Sequence, residues 1–157
     1  MPKKTYTQIN SVTLAATTSS VTFASIPQNF RDLVLVISGT ASIATGITIT
    51  HNGDTTNANY TSVVAYGNGT SATSSTATNR NMISLFTQQS MGIIQFLDYS
   101  ATDKHKTALA RSDSASNETY ALARRWANTA AITSLELGLT GGTFASATSF
   151  TLYGIEA

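Results

Sequence analysis

The sequence has no cysteine and only two prolines. Without cysteine the chain can form no disulfide bond, no thiolate metal site and no cysteine nucleophile. Stability must therefore come from packing, from hydrogen bonds or from assembly with other chains.

Charge is scarce as well. Charged residues make up 11% of the chain and the formal net charge is +1, whereas an ordinary soluble domain carries roughly 25% charged residues. The basic residues are scattered along the sequence, so it predicts no nucleic-acid surface, which needs clustered Lys and Arg. A low-charge surface of this kind suits close packing against a partner, because few unpaired charges become buried.

Long hydrophobic runs are also missing. The longest apolar run, residues 33–37, is far too short to cross a bilayer. Met1 to Lys4 are followed by polar residues in place of the apolar segment of a signal peptide. We therefore expect a soluble protein that is made in a cytoplasm and contacts no membrane.

Groups that could carry acid–base chemistry are few. The two histidines, His51 and His105, have no nucleophile motif near them and are predicted to be exposed at a turn or strand edge. Residues 52–54 and the pair Asp98 and Asp103 could hold a calcium ion, but they are typical of simple turns. The sequence therefore predicts no enzyme, no catalytic residue, no cofactor and no metal site.

Thr and Ser fill about three tenths of the chain, and β-branched Thr favours strands. Period-2 alternation recurs every 10–15 residues or so, which predicts one antiparallel β-domain, a sandwich or a barrel, over residues 1–157. Residues 118–128 could form a helix, but they also alternate with period 2 and the segments around them are all predicted strands, which favours a strand. Residues 67–81 are predicted to be a long surface loop. The strands are predicted at residues 6–15, 20–26, 33–37, 46–52, 59–66, 82–86, 92–99, 106–111, 119–125, 132–139 and 149–155.

The chain has six tyrosines, more than a core that already holds six phenylalanines and one tryptophan needs. Surplus tyrosines are typical of interfaces, although they also cap the edges of sandwiches. An N-terminal arm, residues 1–5, precedes the first strand and is expected either to contact a neighbour or to fold back as an edge strand. The candidate partner-contact residues are Lys3, Lys4, Tyr6, Tyr60 and Tyr66.

Two segments carry a resemblance to a known group of proteins. One is Ser25-Ile-Pro-Gln-Asn-Phe-Arg-Asp-Leu-Val-Leu-Val36; the other runs from Trp126-Ala-Asn-Thr to Ser149-Phe-Thr-Leu-Tyr-Gly-Ile155, and residues 52–54 and 59–60 lie between them. The set resembles small β-sandwich virion proteins of tailed bacteriophages, which occur as capsid decoration proteins and as tail-fibre or receptor-binding modules. The resemblance covers most of the chain apart from residues 67–81.

The resemblance implies a jelly-roll-like sandwich in a phage particle. We expect a non-enzymatic capsid decoration (cement) protein that stabilises the head by binding the major capsid protein, in the virion and as a homo-oligomer, with a trimer implied by analogy. The alternative is a receptor-binding or tail-fibre module that recognises a host surface glycan. A secreted carbohydrate-active enzyme fits less well, because paired acids and a signal peptide are missing.

Overall fold

A computed structural model describes residues 4–114 and 118–156. Twelve β-strands account for the regular structure, together with a 3₁₀ turn at Asn57–Asn59. The strands are β1 (Tyr6–Thr13), β2 (Ser20–Phe23), β3 (Asp32–Gly39), β4 (Thr45–His51), β5 (Tyr60–Gly67), β6 (Ala72–Ala77), β7 (Asn81–Leu85), β8 (Ser90–Leu97), β9 (Lys106–Ser114), β10 (Thr119–Trp126), β11 (Leu135–Leu139) and β12 (Ser149–Ile155).

The strands form two antiparallel sheets that face each other. The large sheet has eight strands in the order β1-β12-β3-β8-β9-β10-β5-β6, and the small sheet has four in the order β2-β11-β4-β7. The predicted single-domain antiparallel β-sandwich is confirmed. The preference for a strand at residues 118–128 is also confirmed, since β10 occupies most of that segment.

Eight of the strands follow a jelly-roll path. Strands β1, β12, β3 and β8 form one half and β2, β11, β4 and β7 form the other, so that the chain crosses repeatedly between the sheets. The hairpins β5–β6 and β9–β10 are inserted into this path and continue the large sheet beyond β8. This four-strand extension makes the large sheet twice as wide as the small one.

The core lies between the sheets and is filled by the inward-facing residues of each strand. Leu33, Leu35 and Ile37 of β3 are fully buried, and they alternate with residues that face away from the small sheet. Leu35 and Phe150 lie in this core, as the strand alternation predicts. Phe144 is also fully buried, and its ring packs edge-on against Phe150.

The predicted loop over residues 67–81 is wrong, because this segment contains β6, which pairs with β5 in unbroken register. The hairpin turn is closed by the Asn68 side chain, whose Oδ1 accepts hydrogen bonds from the backbone N–H groups of Thr70 and Ser71. Gly69 supplies a positive φ of 85° in that turn. All but the last residue of β6 are exposed, so the strand forms through backbone pairing and shows no apolar periodicity.

The N-terminal segment continues the edge of the large sheet. The carbonyl of Thr5 accepts a hydrogen bond from the backbone N–H of Glu156, which extends the pairing of β1 with β12. For Thr5, the structure therefore agrees with the edge-strand alternative. Residues 1–3 of the predicted arm lie outside the described residues. Among the described residues, no helix is long and apolar enough to cross a membrane.

Candidate functional site

The large sheet has an outer face that turns away from the small sheet, and this face is unusually apolar. Val63 of β5 and Leu109 of β9 expose 56% and 46% of their surface there. Side chains from seven strands line this face, because residues paired across antiparallel strands point to the same face. These side chains are Tyr6, Val34, Val36, Val63, Ala65, Ile93, Gln95, Leu109, Arg111, Ala121, Ala123 and Tyr153.

These residues line a groove of about 860 Å³. The groove begins at β1 and β12, crosses β3 and β8 of the jelly roll, and ends on β9, β10 and β5 of the extension. It exists because the inserted hairpins continue the sheet past β8. At its β1 end the rings of Tyr6 and Tyr153 meet edge-on, with their centroids 6.4 Å apart.

Two strands under the groove have sequences typical of burial on both faces. In β3 the run from Leu33 to Ile37 is wholly apolar, and β8 contains Ile93, Ile94, Phe96 and Leu97. The small sheet buries Leu35 and Ile94 on the inner face, but no described segment of the chain covers Val36 and Ile93 on the outer face. The outer face thus lacks the cover that its sequence implies.

Few polar groups interrupt the groove. Gln95 is held in place because its Nε2 donates to Asp32 Oδ2 at 3.2 Å, while the other oxygen of Asp32 accepts from the backbone N–H of Asp98 at 2.9 Å. Arg111 is the cation of the groove lining. Within the described residues the ion pairs are Arg31–Asp32 and Lys104–Asp98, so no described carboxylate lies within ion-pair distance of Arg111.

The predicted partner-contact residues do not form one surface. Tyr6 lines the groove and exposes 54% of its surface, whereas Lys4 is exposed just before β1. Tyr66 is partly exposed on the opposite face of the large sheet, where its ring stacks on Tyr120. Tyr60 is fully buried, which removes it from any contact surface of the folded chain. Lys3 lies outside the described residues.

Sequence reasoning missed the aliphatic residues of the groove. Val63 and Leu109 look unremarkable in their own strands, since each alternates with inward-facing residues as expected. Their meeting depends on the pairing of β5 with β10 of the β9–β10 hairpin, which lies far from β5 in the chain. The signal that was present is the continuous apolar character of β3 and β8.

A second cluster of polar side chains lies inside the sandwich, where β4, β5, β9 and β10 meet. His51 is buried here, so the prediction that it is exposed is wrong, whereas His105 is exposed as expected. The imidazole stacks on Tyr60 and lies 5.0 Å from the Trp126 ring centroid, and neither ring nitrogen has a hydrogen-bond partner among the described residues. Burial, followed by the positive charge of Arg124, holds the pKa of His51 well below its ordinary value.

Two buried cations accompany His51. The Arg124 guanidinium donates to the carbonyls of Arg80 at 2.6 Å and Ile49 at 3.3 Å and lies 5.0 Å from the centroid of the Tyr60 ring. Burial lowers the pKa of Arg124 to about 9, so the side chain remains charged at neutral pH. Lys106 Nζ donates to the carbonyls of Lys104 and Thr129, at 2.9 and 3.0 Å.

Asp54 closes one end of this cluster. Burial acts to raise its pKa, but hydrogen bonds from the Trp126 indole N–H, the Asn59 amide and the Thr56 backbone outweigh this and lower it. The turn at residues 52–54, considered above for calcium, thus directs its carboxylate to protein donors. The Asp98 carboxylate is bound by Lys104 Nζ at 2.9 Å.

The described residues offer little reaction chemistry at either place. No three His, Cys, Asp or Glu side chains in the described ranges come close enough together to hold a metal ion. His51 is sealed from solvent, so it cannot reach a substrate in this conformation. The groove is open, but its lining is mainly aliphatic and its polar side chains include no carboxylate or imidazole. Such a lining is suited to binding an apolar partner surface and offers few groups for acid–base chemistry.

Comparison with known proteins gives little more. No protein-family model matches the sequence, and no curated protein matches it. Among solved structures, the chain is similar to the exo-inulinase of Aspergillus awamori, with a TM-score of 0.39 and 14% sequence identity. The match covers 96% of this chain and 29% of the inulinase chain. At this level of similarity the inulinase supports no conclusion about activity.

Proposed function

We propose that this chain is a non-enzymatic structural protein of a bacteriophage virion, and specifically a capsid decoration protein. In this role it stabilises the head by binding the major capsid protein through the outer face of its large sheet. The observation that carries the proposal is the uncovered apolar groove on that face. The phage assignment itself rests on the sequence resemblance described above.

The chemistry of the face suits a protein partner. Exposed Leu109 and Val63 lie on the part of the groove formed by the extension, with small alanines beside them, so a partner surface can approach closely and remove apolar area from water. Arg111 is the groove's charged side chain, so docking leaves few ions to be desolvated. The occupant we propose is therefore a weakly charged, largely apolar surface of the capsid subunit.

A second function is favoured by one specific observation. Exposed Tyr6 and half-buried Tyr153 form an aromatic pair at the end of the groove, with Gln95 as a positioned amide on the same face. Aromatic rings beside hydrogen-bonding groups can bind sugar rings. A tail-fibre or receptor-binding module that recognises a host glycan is therefore the alternative.

Gold-labelled antibodies viewed on virions by electron microscopy separate these functions. Label distributed over the heads supports a decoration protein, and label confined to tail tips supports the fibre module. Virions that carry no label, although their genome encodes this chain, would overturn both functions.

The docking face itself is tested with Leu109→Asp, which places a carboxylate within the groove. We expect cosedimentation with capsids to fall at least tenfold, because the charge would be buried on docking. Ser20→Asp, at an exposed position of the small sheet, is the matched control and should bind like the wild type. Equal binding by both variants would show that the outer face is not the contact surface.

A further inference from the structure

The large sheet ends in a strand whose outer edge lacks the usual protection. In the described residues no strand pairs with the far side of β6. The other sheet edges carry features that hinder pairing: β1 has a register break between Gln8 and Asn10, β2 has four residues, and the pairing of β7 is interrupted at Ile47/Thr48. Strand β6 pairs with β5 over six residues without a break.

The sequence around β6 also contains none of the residues that block edge-to-edge association. From residue 55 to residue 79 there is no Asp, Glu, Lys, Arg, His or Pro. Natural edge strands are commonly protected by lysine, proline or an inward-pointing charge. An edge that meets a second copy of itself here would bring no like charges together.

The hydrogen bonds of the neighbouring strands show which backbone groups of β6 are free. The Ala127 N–H donates to the Asn59 carbonyl at 2.7 Å, so odd-numbered residues of β5 bond to β10 and even-numbered ones to β6. The Asn68 N–H donates to the Ser71 carbonyl at 3.1 Å, which fixes the same alternation from the hairpin end. Ser62, Tyr66 and Val64 therefore bond to Ala77, Thr73 and Ser75. The N–H and C=O groups of Ala72, Ser74 and Thr76 point away from the sheet.

We infer that two copies of this chain pair through β6, antiparallel and about a two-fold axis at Ser74. In an antiparallel pair, opposed residues share a face, so a two-fold axis normal to the sheet must pass beside a single residue position. With Ser74 opposite Ser74 of the second copy, Ala72 lies opposite Thr76. The outward N–H and C=O groups of all three residues then face outward groups of the other copy. The pairing forms about six hydrogen bonds between the copies.

This dimer places the outer faces of both copies on the same side, because a two-fold axis normal to the sheet preserves its faces. The two grooves would then be presented together to one partner surface. The pairing itself depends only on the edge of β6 and stands or falls independently of the proposed virion function.

Disulfide trapping tests the register, and the natural absence of cysteine removes any background. Ser74→Cys places two thiols at directly opposed positions with Cα atoms about 5.5 Å apart, within disulfide range. Ser75→Cys is equally exposed, but its two copies are offset by two residues and exceed that range. We expect mild oxidation to give a covalent dimer for Ser74→Cys at least tenfold faster than for Ser75→Cys. Equal rates, or no dimer from either variant, would overturn the register.

Sedimentation equilibrium tests the association without cross-linking. The wild type should behave as a monomer–dimer equilibrium, and Ser74→Pro should weaken it about tenfold or more by removing one donor from each copy. Because the Ser74 N–H makes no bond to β5, this proline spares the internal ladder, and an unchanged circular dichroism spectrum verifies the fold. A monomeric wild type, a trimer, or unchanged association of Ser74→Pro would contradict the inference.

Discussion

At the residue scale, His51 is buried in the fold although the turn beside it in the sequence predicts exposure. The alternation of β4 places it on the same side as Ile47 and Ile49, which points inward, while the adjoining turn indicates exposure. Burial prevails because Tyr60 and Trp126, whose ring centroids lie 6.4 Å apart, come from other strands and both pack against the imidazole. Strand alternation could have predicted the direction of the side chain, but not the aromatic cover.

The unpaired imidazole predicts acid sensitivity. The folded-state pKa of His51 lies below its unfolded value near 6.5, so below that pH the unfolded chain binds one more proton. Arg124 and Lys106 face the same space as cations, and Asp54 is committed to Trp126. We expect the free energy of unfolding to decrease by about 1.4 kcal/mol per pH unit as the pH falls below about 6.5.

Urea denaturation at a series of pH values measures this slope. His51→Phe keeps an aromatic ring and removes the titrating group. The slope of its free energy of unfolding against pH between about 6.5 and 5 should therefore be smaller than that of the wild type by the contribution of one proton. His105→Gln, at an exposed position, is the control and should keep the wild-type slope. An identical slope in His51→Phe would show that His51 does not titrate on unfolding.

At the element scale, strands with a buried apolar face could be predicted from the sequence, whereas β6, whose side chains are exposed except the last, could not. Alternating or continuous apolar residues predict strands β3 and β12, and the structure places both inside the large sheet. Strand β6 has the sequence Ala-Thr-Ser-Ser-Thr-Ala, which has no apolar face. It forms because its backbone pairs with β5. Its composition is typical of a loop, so composition alone does not predict the strand.

The two faces of β3 should respond differently to truncation. Leu35 is fully buried between the sheets, so Leu35→Ala should cost about 2–5 kcal/mol through lost transfer energy and the cavity left behind. Val36 lies on the outer face and is partly exposed, so Val36→Ala should cost less than about 1.5 kcal/mol. Urea unfolding of both variants measures the contrast. Comparable losses would mean that the outer face is covered in solution, as it would be in an oligomer that buries it.

At the scale of the whole molecule, the sandwich followed from the sequence while the wide sheet did not. Regular strand spacing and turn residues predict an antiparallel sandwich or barrel, the resemblance implies the sandwich, and the jelly-roll path crosses repeatedly between the two sheets. The extension requires β8–β9 and β5–β10 to align, and nothing in any one strand specifies which strand lies beside it. The groove arises from that alignment, so its residues could not be assembled from the sequence.

The outer face and the β6 edge together predict avidity. If the dimer presents both grooves to one capsid surface, the second groove binds as an intramolecular step and raises the overall affinity by 10²-fold or more. Ser74→Pro leaves each groove intact but separates the copies, so it should weaken capsid binding by a similar factor while keeping the binding of a single copy. Leu109→Asp should instead weaken the binding of each copy at least tenfold and leave dimerisation unchanged. Cosedimentation with capsids across a range of protein concentrations distinguishes these outcomes. Capsid binding by Ser74→Pro at wild-type affinity, with the dimer dissociated, would show that the two grooves do not engage together.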